Sequence, residues 1–423
     1  VNTLPPEPEP VSTAPPSAFQ RVISAYERLA ETDRAGDWET LRSEEDVLVE
    51  AKAIDERVRA GEDLPLAGHL LAAGATTAIA GLPGDTGLAE VSAVAVQRLT
   101  QAGAVVLGRA GKTSVPAVVV SGAADLGVES GIPHREAAFV LRATPGLIPD
   151  APVFYARELT LARLAMGTAT AADAWPASFR LSAGEHPRVA VPGAAELAPL
   201  PVAIRRSFEA VVTAFAASGM RIQALGSLGE PFDVLLTPFS LDLAAPELPT
   251  VSVPLGEVAG EPFGITLATA AHEEQLALDL ASLLTAAPAG EPYAATSVEF
   301  VVFGEQVRGR PLSAWLTELG ARYAGDVLTA SQYRMVLLDG PEAGVMPGAQ
   351  ALTGERWTVS PAGFEQLRDG LGAPLRVTPV RLENGTSLPA ITCDPMAEST
   401  ELTSYRDWRA YLRFLSTAKA RSA

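Results

Sequence analysis

The chain has 423 residues, 48% of them hydrophobic, enough for one large core or two moderate ones, and two domains are expected. Its 50 acidic residues outnumber 32 basic ones, giving a formal charge of -18 that repels phosphate backbones and anionic membrane surfaces, so neither nucleic acid nor membrane is an expected partner. The single cysteine, Cys393, excludes an intrachain disulfide and a thiolate metal cluster, and fits a reducing, cytoplasmic setting.

Residues 1–16, with the run VNTLPPEPEPVSTAPP, read as a proline-rich, disordered tail lacking the basic-then-apolar pattern of a secretory signal. The use of 29 arginines against three lysines, with abundant alanine, suggests a GC-rich bacterial genome, and Val1 looks like an alternative start codon translated literally, although a trimmed chain would begin in the same way. Phe19, Val22, Ile23, Tyr26 and Leu29 follow helical spacing, so the first ordered element is expected to be an amphipathic helix. Residues 64–84 carry no Asp, Glu, Lys or Arg, yet their prolines and glycines would leave a membrane helix poorly formed, and buried strands and turns are expected instead.

Val91, Val94, Ala95, Leu99 and Ala102 predict a helix closed by Gly103, followed by a buried strand over 104–107. The same unit recurs with Phe208, Val211, Val212 and Phe215, a stop at Gly219 and a strand over 220–225. Three apolar runs, 233–237, 250–254 and 263–268, add strands, and the alternation of helices with strands points to a covered, mainly parallel sheet. Residues 288–296 lie in a proline, glycine and alanine stretch and are expected to link residues 17–287 to a smaller α+β domain at 297–423. That second part should hold strands at 298–303, 333–338, 355–359 and 377–382, and a short helix around 315–319.

The segments LPLAGHLLAAGATTAI and GDTGLAEVSAVAVQRLTQAGAVVLGR, then PGLIPDAP, LTLARLAMGTATAADAW, PRVAVPG, FDVLLTPF and GEPFGITLA, resemble the amidase signature family in that order. After the linker, VVFGEQVRGRPLSAWLTELGARYAGDVLTASQYRM, GERWTV, APLRVTPVRLENG and SYRDWRAYL resemble the C-terminal domain of allophanate hydrolases. The two resemblances together cover nearly everything after residue 20. They imply an α/β amidase-signature-like fold, with a mixed, mainly parallel sheet, followed by an α+β domain similar to γ-glutamylcyclotransferases. A homodimer is implied only by analogy with relatives.

Enzymes of the family attack an amide with one serine, relay its proton through a second and use a lysine as the final base. A hydroxyl needs such a neighbouring base, and glycines around it expose the N–H groups of an oxyanion hole. Here the place of that lysine is read as His69, within LPLAGHLL, while Lys112 matches a later turn. Residues 117–145, where the nucleophile loop should fall, contain Ser121, Ser130 and His134 but no Gly-Gly-Ser-Ser-Gly pattern. His69 with Ser130 is the one remaining candidate pair; the alternative is that both serines are turn residues and His69 is a satisfied histidine. The chain also runs from Leu225 to Phe232 without the long insertion that lines the substrate cleft in the family.

In the second domain the resemblance implies a pocket at Gly304, Gln306, Arg308, Tyr333 and Glu355, with Gln306 in place of a histidine. An amide hydrogen-bonds but does not shuttle protons near neutrality, whereas an arginine suits a carboxylate and Glu355 is a candidate for acid/base work or for holding a urea-like N–H. The competing reading makes Arg308 and Glu355 an ordinary salt-bridge pair. His134, His186 and His272 are scattered, so neither a metal nor any other cofactor is expected. The expected function is that of a homologue in urea or small-amide nitrogen metabolism, degenerate at the amidase site and binding a small amide or carboxylate. An active amidohydrolase, or a decarboxylase or lyase using only the second domain, are the alternatives.

Overall fold

The computed structural model describes residues 16–32, 37–84, 87–111, 115–131, 138–225, 231–241, 243, 245, 247–285, 296–338, 342–402 and 405–422. The chain forms two compact units, one of Val1–Ser130 with Tyr155–Arg157, the other of Gly131–Phe154 with Glu158–Ala423.

In the first unit the helix Ala18–Thr32 buries Val22 and Leu29 of its expected stripe, together with Ala25, while Phe19, Ile23 and Tyr26 are half-buried, and it packs against Glu44–Arg59 through Val47, Ala51 and Ile54. Ser43 starts the second helix by accepting the Asp46 N–H at 3.2 Å. Four strands lie in the order Trp38–Leu41, Val105–Ala110, Leu70–Ala73, Leu126–Ser130. The first pair is antiparallel and the rest parallel. Leu70–Ala73 and the first half of Val105–Ala110 are apolar and buried on both faces, as covered parallel strands require. Gly103, at φ +98°, ends the helix Val94–Gln101 and turns the chain directly into Val105–Ala110. The charge-free stretch 64–84 contributes Leu70–Ala73 and turns, and no described helix is long and apolar enough to cross a membrane.

The second unit holds the strand order Phe139–Arg142, Thr250–Val258, Glu261–Ala268, Val234–Pro238, Arg188–Val191, Arg221–Ala224. Arg188–Val191 is parallel to both its neighbours, and the remaining pairs are antiparallel because Thr250–Val258 and Glu261–Ala268 form a hairpin across a two-residue turn. The strands predicted at 220–225, 233–237, 250–254 and 263–268 are all present with ends shifted by a few residues, the usual uncertainty of termini.

Within the same unit, residues 298–422 build a five-stranded sheet ordered Arg322–Leu328, Thr353–Val359, Val298–Val302, Ser387–Cys393, Leu375–Arg381. A three-stranded sheet, Ala343–Pro347, Tyr333–Leu338 and Ser399–Glu401, stands beside it. Phe300, Val302, Trp357, Leu367 and Trp408 form part of the core here. Leu181 donates its N–H to the Gly320 carbonyl at 2.9 Å, and Arg322 pairs with Asp279 at 2.9 Å, so this part is tied to preceding elements of its unit. The linker expected at 288–296 lies, Thr296 excepted, outside the described residues, as does the tail except Pro16.

Candidate functional site

The parallel strands of the first unit fix where amidase chemistry would have to occur. The resemblance implies a lysine at the end of the strand Leu70–Ala73, and the residue that follows this strand is Gly74. His69 instead precedes the strand, so reading it as the lysine replacement is corrected by the strand direction. The register sets Leu71 beside Leu126, which leaves His69 six positions short of Ser130. At about 3.3 Å per residue the two are roughly 20 Å apart. The His69–Ser130 pair is therefore not formed, because the two residues lie at opposite ends of neighbouring parallel strands.

The lysine place is closed by packing. A Cβ on Gly74 would lie 2.4 Å from the Glu129 Cβ and 3.3 Å from its Cα. Glu129 is buried, and its carboxylate accepts a short hydrogen bond from the Tyr155 hydroxyl. Ser130 follows at the strand end, where its carbonyl accepts from the Thr76 hydroxyl at 3.2 Å. Of the three lysines, Lys52 lies 5.0 Å from the Phe19 ring, and Lys419 falls in the helix Trp408–Ser422. Lys112 and His134 lie outside the described residues, as does much of the shortened stretch between Leu225 and Phe232.

His69 belongs to a cluster around Asp125. The Asp125 carboxylate accepts from Arg21 at 2.9 Å and from the Leu70 N–H at 2.9 Å, with His69 Nδ1 at 3.8 Å. Burial pushes the Asp125 carboxyl up, but the neighbouring His69, the hydrogen bond from the Leu70 amide and the charge and hydrogen bond of Arg21 outweigh this and hold it well below the usual carboxylate range.

The second domain assembles most of its expected residues. Glu355, 1% exposed, accepts from the Arg308 N–H at 2.9 Å and the Trp357 indole at 3.1 Å. Its other oxygen takes the Arg409 guanidinium and lies 3.5 Å from Arg308 Nε. The turn that presents Arg308 is tight: Gly304 accepts the Val307 N–H at 3.1 Å, and buried Gln306 places Oε1 3.3 Å from where a Gly304 Cβ would be. Tyr333 is not brought to this group. It sits in the three-stranded sheet, and its hydroxyl accepts the Arg381 N–H at 2.8 Å.

With donors on both oxygens, Glu355 serves as an anchor for two arginines rather than as a free acid/base group. Arg308 remains 42% exposed, its guanidinium 3.5 Å from the Tyr323 ring centroid, a cation–π contact that fixes its plane. It faces a cleft of about 780 Å³ also lined by Arg180, Arg188, Arg221 and Asp233. Arg180 and Arg188 share buried Asp233 at 3.2 and 2.9 Å. Burial raises the Asp233 carboxyl, and the Arg188 hydrogen bonds and both arginine charges outweigh this and lower it. Burial raises Glu273 above the carboxylate norm against the opposing charge of Arg180.

The sequence reading missed Arg409, Trp357 and the neighbouring lock in which Glu305 takes Arg310 and the Trp408 indole. Trp357 had a signal: two residues after Glu355 on one strand, it must share its face. Arg409, 54 positions away, had none. Among the described residues no group of three or more His, Cys, Asp or Glu could hold a metal ion.

Residues 298–413 match the family of allophanate hydrolase C-terminal domains. No curated protein matches the sequence. Among solved structures, Kluyveromyces lactis allophanate hydrolase superposes with a TM-score of 0.72 at 15% identity, covering 95% of this chain and 97% of that one. Kluyveromyces lactis urea amidolyase gives 0.72 at 15% identity, over 95% of this chain and 36% of its own. A peptide amidase, solved with the competitive inhibitor chymostatin, gives 0.52 at 15% identity over 64% of this chain and 95% of its own. The chain thus has the allophanate hydrolase fold, and its residues 298–413 match the allophanate hydrolase C-terminal domain model.

Proposed function

We propose that this protein is an allophanate hydrolase homologue of bacterial, cytoplasmic small-amide nitrogen metabolism whose amidase centre is degenerate and whose remaining role is to bind a small ligand. The observation that carries this reading is Gly74 at the end of Leu70–Ala73, with the buried Glu129–Tyr155 pair packed where a lysine side chain would emerge. A serine hydroxyl without a base is a poor nucleophile, and a buried carboxylate already holding a phenol is a weak substitute. Ligand binding is supported by Arg308, stacked on Tyr323 with its outer edge open to the cleft, a geometry suited to a carboxylate.

The test is to incubate the purified chain with allophanate and related small amides and follow ammonia release, expecting none above background. Release abolished by Ser130→Ala or by Lys112→Ala would overturn the reading. In parallel, malonate should stabilise the protein in a thermal shift assay, with the shift lost in Arg308→Ala. A shift retained there would remove Arg308 from the ligand site.

A further inference from the structure

The cleft that Arg308 faces has two walls. Arg308, Thr317 and Tyr323 line one, and His186, Arg188 and Arg221 line the other. We infer that the ligand of this cleft carries two separated anionic groups, one held by Arg308 and the other by Arg221, so that an extended dicarboxylate fits it better than a short one. The inference rests on the reading of Arg308 as a carboxylate site and adds what holds the far end of the ligand.

Strand register places Arg221. The strands Arg221–Ala224 and Arg188–Val191 run parallel, with Arg221 directly beside Arg188. Residues in register on neighbouring strands lie roughly 4.8 Å apart and point to the same face, so the two side chains leave the sheet together. The Arg221 N–H donates to the Pro187 carbonyl at 2.8 Å, and the His186 ring holds the Gly219 carbonyl through Nδ1 at 2.9 Å, which fixes this corner.

The two arginines differ in what they hold. Arg188 spends its guanidinium on Asp233, donating from Nε at 3.1 Å and from a terminal nitrogen at 2.9 Å, and Arg180 joins it on the same carboxylate. Arg180 also reaches Glu273 at 3.3 Å, so these two arginines and two acids balance. The Arg221 side chain makes no hydrogen bond or ion pair among the described residues, and Glu185 and Glu318, exposed acids of the same cleft, do not pair with it. Like charges side by side repel. In a chain with 50 acidic residues, Arg221 is left beside another arginine without an acid of its own. An anion taken from solution would relieve that repulsion and find all five N–H groups of Arg221 open.

Arg308 is held on its inner edge by Glu355 and the Tyr323 ring, which leaves its outer edge for one carboxylate. A cleft of about 780 Å³ is roughly 11 Å across if compact, within the range of small-molecule sites. Malonate, whose carboxylates share a single carbon atom, fills little of it and engages one arginine. Adipate, a longer dicarboxylate, offers one carboxylate to each. Ala183, Ala314 and Trp357 also line the cleft and suit its methylene chain.

Isothermal titration calorimetry of the whole chain with adipate, hexanoate and malonate, at ionic strength held constant with chloride, tests this. Hexanoate matches adipate in carbon count but lacks the second carboxylate, so it reports Arg308 alone. Adipate should bind roughly tenfold or more tighter than hexanoate, a comparison that needs no variant. Arg221→Gln should bring adipate down to the hexanoate level and leave hexanoate and malonate unchanged, whereas Arg308→Gln should weaken all three. Because Arg221 is exposed and unpaired, its replacement should not move the unfolding midpoint of the unliganded chain. Malonate binding with adipate no tighter than hexanoate, or adipate affinity untouched by Arg221→Gln, would overturn the inference and leave the Arg308 reading standing. No saturable heat with any of the three would overturn both.

Discussion

Replacing Gly74 with alanine tests whether the amidase end is closed by packing. The added Cβ would meet the Glu129 Cβ at 2.4 Å and its Cα at 3.3 Å, atoms next to the backbone that cannot swing aside. Overpacking of this kind costs about 3 kcal/mol, the upper part of its range. Gly74 does not sit at positive φ, so alanine also restrains the unfolded chain and returns about 0.4–1 kcal/mol. The net loss is roughly 2 kcal/mol by these principles, measurable by urea denaturation followed by circular dichroism. The decisive comparison is the same change in a Glu129→Gly background, which removes the opposing Cβ. There Gly74→Ala should cost nothing, giving a coupling of about 2–3 kcal/mol, as expected of residues in direct contact. A Gly74→Ala variant as stable as the parent, or one equally damaged in both backgrounds, would refute the packing argument. Gly74→Lys should restore no amide hydrolysis, since the side chain has no path past Glu129.

Further expectations concern the buried carboxylates and the thiol. Glu355→Ala leaves Arg308 and Arg409 without their shared partner; because Arg409 is 35% exposed and Arg308 more so, the loss should be about 2–3 kcal/mol, below the usual figure for breaking a fully buried pair. Equilibrium unfolding checks it, and a loss below about 1 kcal/mol would show that Glu355 is no anchor. The Asp125 carboxyl is held below its unfolded value, so its contribution to stability is complete above about pH 4 and disappears as pH falls through the lower folded value. Asp125→Asn should therefore be destabilised relative to the parent at pH 7, with the gap narrowing in acid; a gap independent of pH would contradict this. Burial pushes the Cys393 thiol up to about 11, so a thiol reagent at pH 8 should label it only after unfolding.

Part of what supports the proposed loss of amidase chemistry was legible in residue types. Three lysines in the whole chain and a loop without paired serines were visible before any coordinate. The position proposed for that loss was not. LPLAGHLLAAG carries an apolar run, but periodicity does not say at which end a side chain reaches the site, and the histidine drew attention to the wrong end. Strand direction and the Leu71–Leu126 register decided it, both set by pairing between segments more than fifty residues apart.

Local pattern alone determined that Val22 and Leu29 face inward on one helix, the stop at Gly103 and the apolar strands, because these follow from the periodicities of single segments. Only the tertiary structure decided that Glu129 covers Gly74, that Arg409 joins Arg308 on Glu355, and that Arg21, Arg28 and Arg157 surround Asp125. The reason is physical: a charge or a void is defined by what lies a few ångströms away, and those neighbours come from distant stretches of chain whose meeting no single window of sequence contains.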